Sequence, residues 1–82
     1  YIVRGIVKSN LGDYKGSISD YTQAISINQN NYLGFYNRGA VKAKHLRERE
    51  SACLDFGEAA ALGYSTAKRT FDNLDCNKFN KQ

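Results

Sequence analysis

Few residues of this chain have types and spacing that suit chemistry. Cys53 and Cys76 stand far apart, no CxxC occurs and the only histidine is His45, so a four-ligand zinc site cannot be completed. The two cysteines can still bond to each other. Arg4 and Asp20 recur as Arg38 and Asp55, a cation and a carboxylate that together look like a catalytic acid with its orienting partner. Their duplication argues for structure instead: one partly buried ion pair per copy, fixing how two helices register. Lys42, Lys44, His45, Arg47 and Arg49 form a basic run, and Lys68, Arg69, Lys78 and Lys81 add charge towards the C-terminus, which raises an anionic surface or nucleic acid as a partner. Glu48 and Glu50 interrupt that run and no aromatic residue is interleaved for base stacking, so a solvated face is the favoured reading and nucleic acid is disfavoured. There is no Gly-rich phosphate loop, no Ser or Cys in a recognisable arrangement with a His, and no carboxylate pair set apart from ordinary surface charge. The expectation is therefore a chain that is not an enzyme and uses no metal and no cofactor.

The elements that hold these residues must come from a short chain. Its 82 residues, 41% hydrophobic and 24% charged, describe one small globular domain with a thin core, neither a disordered tail nor a multidomain enzyme. Twelve Lys and Arg against 8 Asp and Glu leave a net charge of +4, a weak pull towards acidic partners. The opening stretch YIVRGIVKSN is broken by Arg4 and Lys8, so it reads as neither a spanning helix nor a signal peptide. A start at Tyr1 without Met reads as either a processed product or a piece of something longer, with the piece favoured.

Self-similarity organises the rest. Tyr1, Arg4, Gly5, Val7 and Lys8 fall on Phe35, Arg38, Gly39, Val41 and Lys42; after one inserted residue near Lys44 or His45, Leu11, Ser17, Asp20, Tyr21, Gln23 and Ala24 fall on Leu46, Ala52, Asp55, Phe56, Glu58 and Ala59. Tyr14, Ile18, Tyr21 and Ile25 recur at helical spacing and mark one stripe of an amphipathic helix. Each copy thus reads as two helices, at about 1 to 11, 15 to 28, 32 to 46 and 50 to 62. Gly12-Asp13 supplies the first turn, Asn28 to Asn31 the second, where Asn tolerates the left-handed conformation, and Gly63 ends the fourth helix. Ser65 is the expected N-cap of a fifth helix, with Ala67, Phe71 and Leu74 as its apolar stripe and no repeat partner. The expected organisation is 1–31 and 32–63 as helix pairs, 64–77 as a capping helix and 78–82 as a frayed tail.

This pattern resembles the tetratricopeptide repeat, a helix pair of about 34 residues marked by an aromatic, a small Gly, then Ala, aromatic and Ala. The resemblance rests on Tyr1, Gly5, Leu11, Gly12, Tyr14, Ser17, Tyr21 and Ala24 in the first copy, and on Phe35, Gly39, Leu46, Ala52, Phe56 and Ala59 in the second. Lys8 and Lys42 depart from it by standing where an aromatic is usual, Ser17 replaces an Ala, and Gln29 replaces a Pro. The turn Leu46-Arg47-Glu48-Arg49-Glu50 is longer than its counterpart and lacks a Gly.

The resemblance implies an all-α antiparallel helix-pair solenoid of about five helices, acting as a protein interaction scaffold. It implies a concave face built by the first helix of each pair, at Ile2, Val3, Ile6, Ser9 and Asn10, then Leu33, Tyr36, Asn37, Ala40, Ala43 and Lys44. A groove floored by Ile2, Ile6, Leu33 and Tyr36 suits a partner's amphipathic helix or extended apolar segment, with Asn37 and Ser9 giving direction. The clamp for a C-terminal carboxylate that some members carry needs cations where Ile2 and Ile6 stand, and only Asn37 matches. The alternative is a structural role: this segment ends a longer solenoid, or associates with a second copy, because about three repeats are wanted for stability. Cys53 and Cys76 lie at comparable depths, roughly 15 to 20 Å, on either side of the turn at Gly63, so a bond between them is geometrically open. Free thiols would fit the cytoplasm; a bond would fit a periplasmic or secreted protein.

Overall fold

The computed structural model describes residues 1–79. Among the described residues five α-helices follow one another: α1 (Ile2–Asn10), α2 (Tyr14–Ile27), α3 (Tyr32–Lys44), α4 (Arg49–Ala61) and α5 (Ser65–Asn73), and a 3-10 helix follows over Cys76–Phe79. Each helix packs on the next, and α1 also touches α3, which is the stacking of an all-α helical repeat.

Close approach within each pair depends on two glycines. A Cβ added at Gly5 would lie 2.6 Å from Cε1 of Tyr21, and one at Gly39 would lie 3.0 Å from Cε1 of Phe56 and 3.1 Å from the Ala52 carbonyl oxygen. The second helix of each pair therefore drops its aromatic into the space a side chain would fill. Tyr21, Ala24, Val41, Ala52, Phe56, Ala59 and Ala67 are buried and form the core with Cys53 and Cys76.

The turns repeat as well. Asp13 N–H donates to the Lys8 carbonyl at 2.8 Å and Glu48 N–H to the Lys42 carbonyl at 2.9 Å, equivalent bonds that span one residue more in the second copy. The Leu11 amide bonds Val7 and the Leu46 amide bonds Val41, with the same one-residue difference. The inserted residue is thus absorbed in the last turn of α3, at His45, whose ring stacks on Tyr14 at 4.1 Å. Gly12 reverses the first turn at φ 86, and Arg47 does so in the second at φ 57, a conformation in which Cβ sterics work against any residue but Gly.

Four expectations for the turns and ends change. Asn28 is extended, at φ −141, and Asn31 has φ −80, so neither is left-handed. Their side chains accept backbone N–H groups instead: Asn28 accepts from Asn30 within the turn, and Asn31 accepts from Gly34, which satisfies one orphan donor at the start of α3. Ser65 is the first residue of α5 and not its cap; Tyr64 takes the cap position without a side-chain bond. The fifth helix, expected over 64–77, stops at Asn73 because Asp75 turns to φ 56 and brings Cys76 back against α4. Of the expected tail 78–82, Lys78 and Phe79 lie in the 3-10 helix, and 80–82 lie outside the described residues.

The fifth helix also has a repeat counterpart. Ala67 and Lys68 bond the Tyr64 carbonyl just as Gly34 and Phe35 bond that of Asn31, so α5 enters as α3 does. In that register Phe71 falls at the place of Arg38 and Asp72 at the place of Gly39. A carboxylate side chain therefore stands where α1 and α3 leave room for the aromatic of a following helix.

Candidate functional site

The duplicated charges sit between the helices of each pair. The Arg4 guanidinium donates twice to Asp20, Nε to Oδ2 at 3.0 Å and Nη2 to Oδ1 at 2.8 Å, and Arg38 grips Asp55 with the same fork at 3.0 and 2.7 Å. Lys8 and Lys42, the residues that depart from the repeat pattern, are third members: each Nζ lies 3.2 Å from Oδ2 of the same aspartate. The pattern was legible, since each Lys stands four residues after its Arg in both copies, on one helical face. Both carboxylates are buried. Hydrogen bonds from Arg4, helped by Lys8, hold the Asp20 carboxyl down at about 2 against the opposing pull of desolvation. The same bonds raise Arg4, and burial, then the Asp20 charge, pushes the Tyr21 phenol up. A carboxylate held ionised by two cations is poorly suited to take up or give a proton near neutrality.

The face shared by α1 and α3 carries a cleft of about 240 Å³. Ile6, Ser9, Asn10, Asn37, Ala40 and Lys44 of the expected face line it. Tyr21, Val41 and His45 complete the lining and were not in the expected set. Ile2, Val3, Leu33, Tyr36 and Ala43 do not line the cleft. The expected floor of Ile2, Ile6, Leu33 and Tyr36 therefore reduces to Ile6. Tyr36 is drawn off by ring contacts with Phe56 at 5.4 Å and Tyr64 at 5.2 Å, which belong to α4 of its own pair and to the start of α5. The cleft that remains is more polar than the residue pattern implied. Asn37 is half-buried in it, and its side chain makes no hydrogen bond among the described residues. Its amide can donate and accept at once, as a peptide backbone requires.

The basic run does not form one surface. Lys42 is committed to Asp55 and also donates to Ser51 Oγ at 2.8 Å, His45 is stacked on Tyr14, and Arg47 forms the left-handed turn. Among the described residues no cluster of three or more His, Cys, Asp or Glu is placed to hold a metal ion. No described helix is long and apolar enough to cross a membrane.

Cys53 and Cys76 are joined, with a Cα separation of 5.4 Å, so the chain beyond α5 is tied to the middle of α4. Beside that bond a wider groove of about 530 Å³ runs between α4 and α5, with Leu54, Gly57, Ala60, Ala61 and Phe71 in its walls and Glu50, Glu58 and Lys68 at its edge.

Helix order, duplicated glycines and duplicated ion pairs make an all-α helical repeat that fits a tetratricopeptide-like pattern. Over 44 residues the chain is 46% identical to Tetratricopeptide repeat protein 6 of Homo sapiens, a match covering 54% of this chain and 8% of that protein. No family model matches the chain, and no solved structure does.

Proposed function

We propose that the chain is a protein interaction module that takes a peptide or helix of a partner protein on its α1–α3 face. The observation that carries this reading is Asn37: a half-buried amide without an internal partner, in a cleft between two helices, flanked by Ile6, Ser9 and Lys44. Apolar contact with Ile6 and Ala40 supplies affinity, the amide fixes the register of the bound backbone, and Lys44 favours an acidic group nearby. The Cys53–Cys76 bond supports a periplasmic or secreted setting over a reducing one. The structural alternative, a solenoid segment or self-associating domain without a separate ligand, draws on the open face of α1, where Val3 and Leu11 are exposed.

The test begins with the solution mass by light scattering for the parent, Ile6→Asp and Tyr36→Asp. A folded monomer is expected, and peptides selected on it from a random displayed library should lose at least tenfold in affinity on Ile6→Asp or Asn37→Ala. Binding that these two changes leave untouched refutes the cleft. A parent dimer that Ile6→Asp dissociates shifts the function to self-association. Affinity for a labelled single-stranded oligonucleotide that falls steeply with salt would instead favour the basic turn.

A further inference from the structure

The α1–α3 cleft collects polar groups that the fold itself leaves unused. Arg4, Lys8, Arg38 and Lys42 are committed to Asp20 and Asp55. Among the described residues Lys44 has no ion pair, the side chains of Asn37 and His45 make no hydrogen bond, and no carboxylate lines the cleft. Tyr21 adds an independent sign. Its equivalent Phe56 fills the same space against Gly39 without a hydroxyl, so packing does not require the phenol oxygen. Tyr21 is only 2% exposed and its hydroxyl has no partner among the described residues, yet no buried polar side-chain atom there is unsatisfied. That oxygen must therefore reach the cleft that Tyr21 lines.

Spacing decides what fits. Equivalent positions of successive repeats lie side by side, which sets Ile6 beside Ala40 and Asn10 beside Lys44. His45, the residue inserted in the second copy, is held next to Lys44 by its stack on Tyr14. The first of these places is apolar and the second carries the cation, and four residues of helix separate them by about 6 Å. Two residues of an extended strand span about 6.6 Å and put both side chains on one face. At about 240 Å³ the cleft is too small to seat the body of a helix, which is roughly 10 to 12 Å across with its side chains. An extended segment also keeps its own N–H and C=O groups free for the Asn37 amide and the Tyr21 hydroxyl, whereas a helix has already bonded most of its own.

We propose that the cleft binds an extended segment of a partner protein in which an apolar residue and an Asp or Glu stand two positions apart. The apolar side chain packs on Ile6 and Ala40, Lys44 Nζ and a ring N–H of His45 donate to the carboxylate, and Asn37 and Tyr21 bond the backbone. An imidazole carries at least one N–H in either protonation state, so His45 can donate in both. This inference rests on the cleft reading above and goes beyond it by fixing the partner's conformation, charge and register. An acid at any other spacing leaves either the apolar place or the cation unfilled, which is the source of selectivity.

The probe is the peptide Ser-Thr-Leu-Thr-Glu-Thr-Ser, acetylated and amidated so that the Glu side chain is its only carboxylate. Titrated to millimolar concentration into the isotope-labelled chain, it is expected to shift the NMR signals of Asn37, Ala40 and Lys44 saturably. Replacing its Glu by Gln, or moving the Glu next to the Leu, should weaken binding about fivefold. Lys44→Gln in the chain should erase the difference between the Glu and Gln peptides. Tyr21→Phe, which keeps the ring in the core, should weaken both peptides alike, about threefold, without lowering the melting temperature. The proposal is overturned if no saturable shift appears, if the Glu and Gln peptides bind alike, or if the acid is read equally at either position. It is also overturned if light scattering finds a dimer that Lys44→Glu dissociates, for then a second copy fills the cleft. Binding that Ile6→Asp and Asn37→Ala abolish but that ignores the Glu sinks this inference and leaves the cleft standing. Binding that those two changes leave untouched sinks the cleft itself, so the two failures are distinguishable.

Discussion

Removing the Cys53–Cys76 bond should weaken the chain more than any loss of side-chain packing at those positions. The bond closes a loop over a sequence separation of 23. The loss of chain entropy in the unfolded state from closing such a loop corresponds to about 3 kcal/mol. A domain of this size holds only a few kcal/mol in total, so the double variant Cys53→Ala, Cys76→Ala should keep the fold with a midpoint roughly 10 to 25 °C lower. The damage should be local at first, because the bond ties Cys76 and the turn at Asp75 to α4. Amides of α5 and of Cys76–Phe79 should lose protection before those of α3 and α4. The assay is urea and thermal unfolding by far-UV circular dichroism for the oxidised chain, the chain in reductant and the double variant, with hydrogen exchange alongside. Equal midpoints for all three would refute the reasoning. So would alkylation of both thiols in the native chain without reductant.

The ion triads and the acid limb give two more tests. Asp55→Ala leaves Arg38 and Lys42 facing each other in a partly buried site and should cost about 3 kcal/mol, whereas adding Arg38→Met and Lys42→Met should recover at least half; simple additivity in denaturant unfolding would refute this coupling. Asp20 has a folded-state pKa held down at about 2, below the usual unfolded value of about 3.9. Its contribution is thus fully present above about pH 4 and is lost as the pH falls towards 2. The gap in melting temperature between the parent and Asp20→Asn should close over that window, and a gap independent of pH would sink the assignment.

Helix type and repeat register were legible because they are carried by short-range spacing. Apolar residues at helical period set the faces, and two copies of one pattern report the same contacts twice, which singled out Gly5 with Gly39 and the Arg and Asp of each pair. Duplication also held the role of Lys8 and Lys42, although the tetratricopeptide-like pattern has an aromatic at the place they occupy. Three features lay beyond such reasoning. Tyr36 leaves the expected groove because Phe56 of α4 and Tyr64 at the start of α5 offer it rings, and no local pattern reports where a side chain finds its neighbours across helices. His45 is an insertion in sequence, and only the packing of α2 on α3 turns it into a partner for Tyr14. The two cysteines left free thiols and a bond equally open. The choice turns on the early stop of α5 and on Asp75, whose backbone swings Cys76 onto Cys53, a geometry set by how α4 and α5 pack and not by the distance between them along the chain.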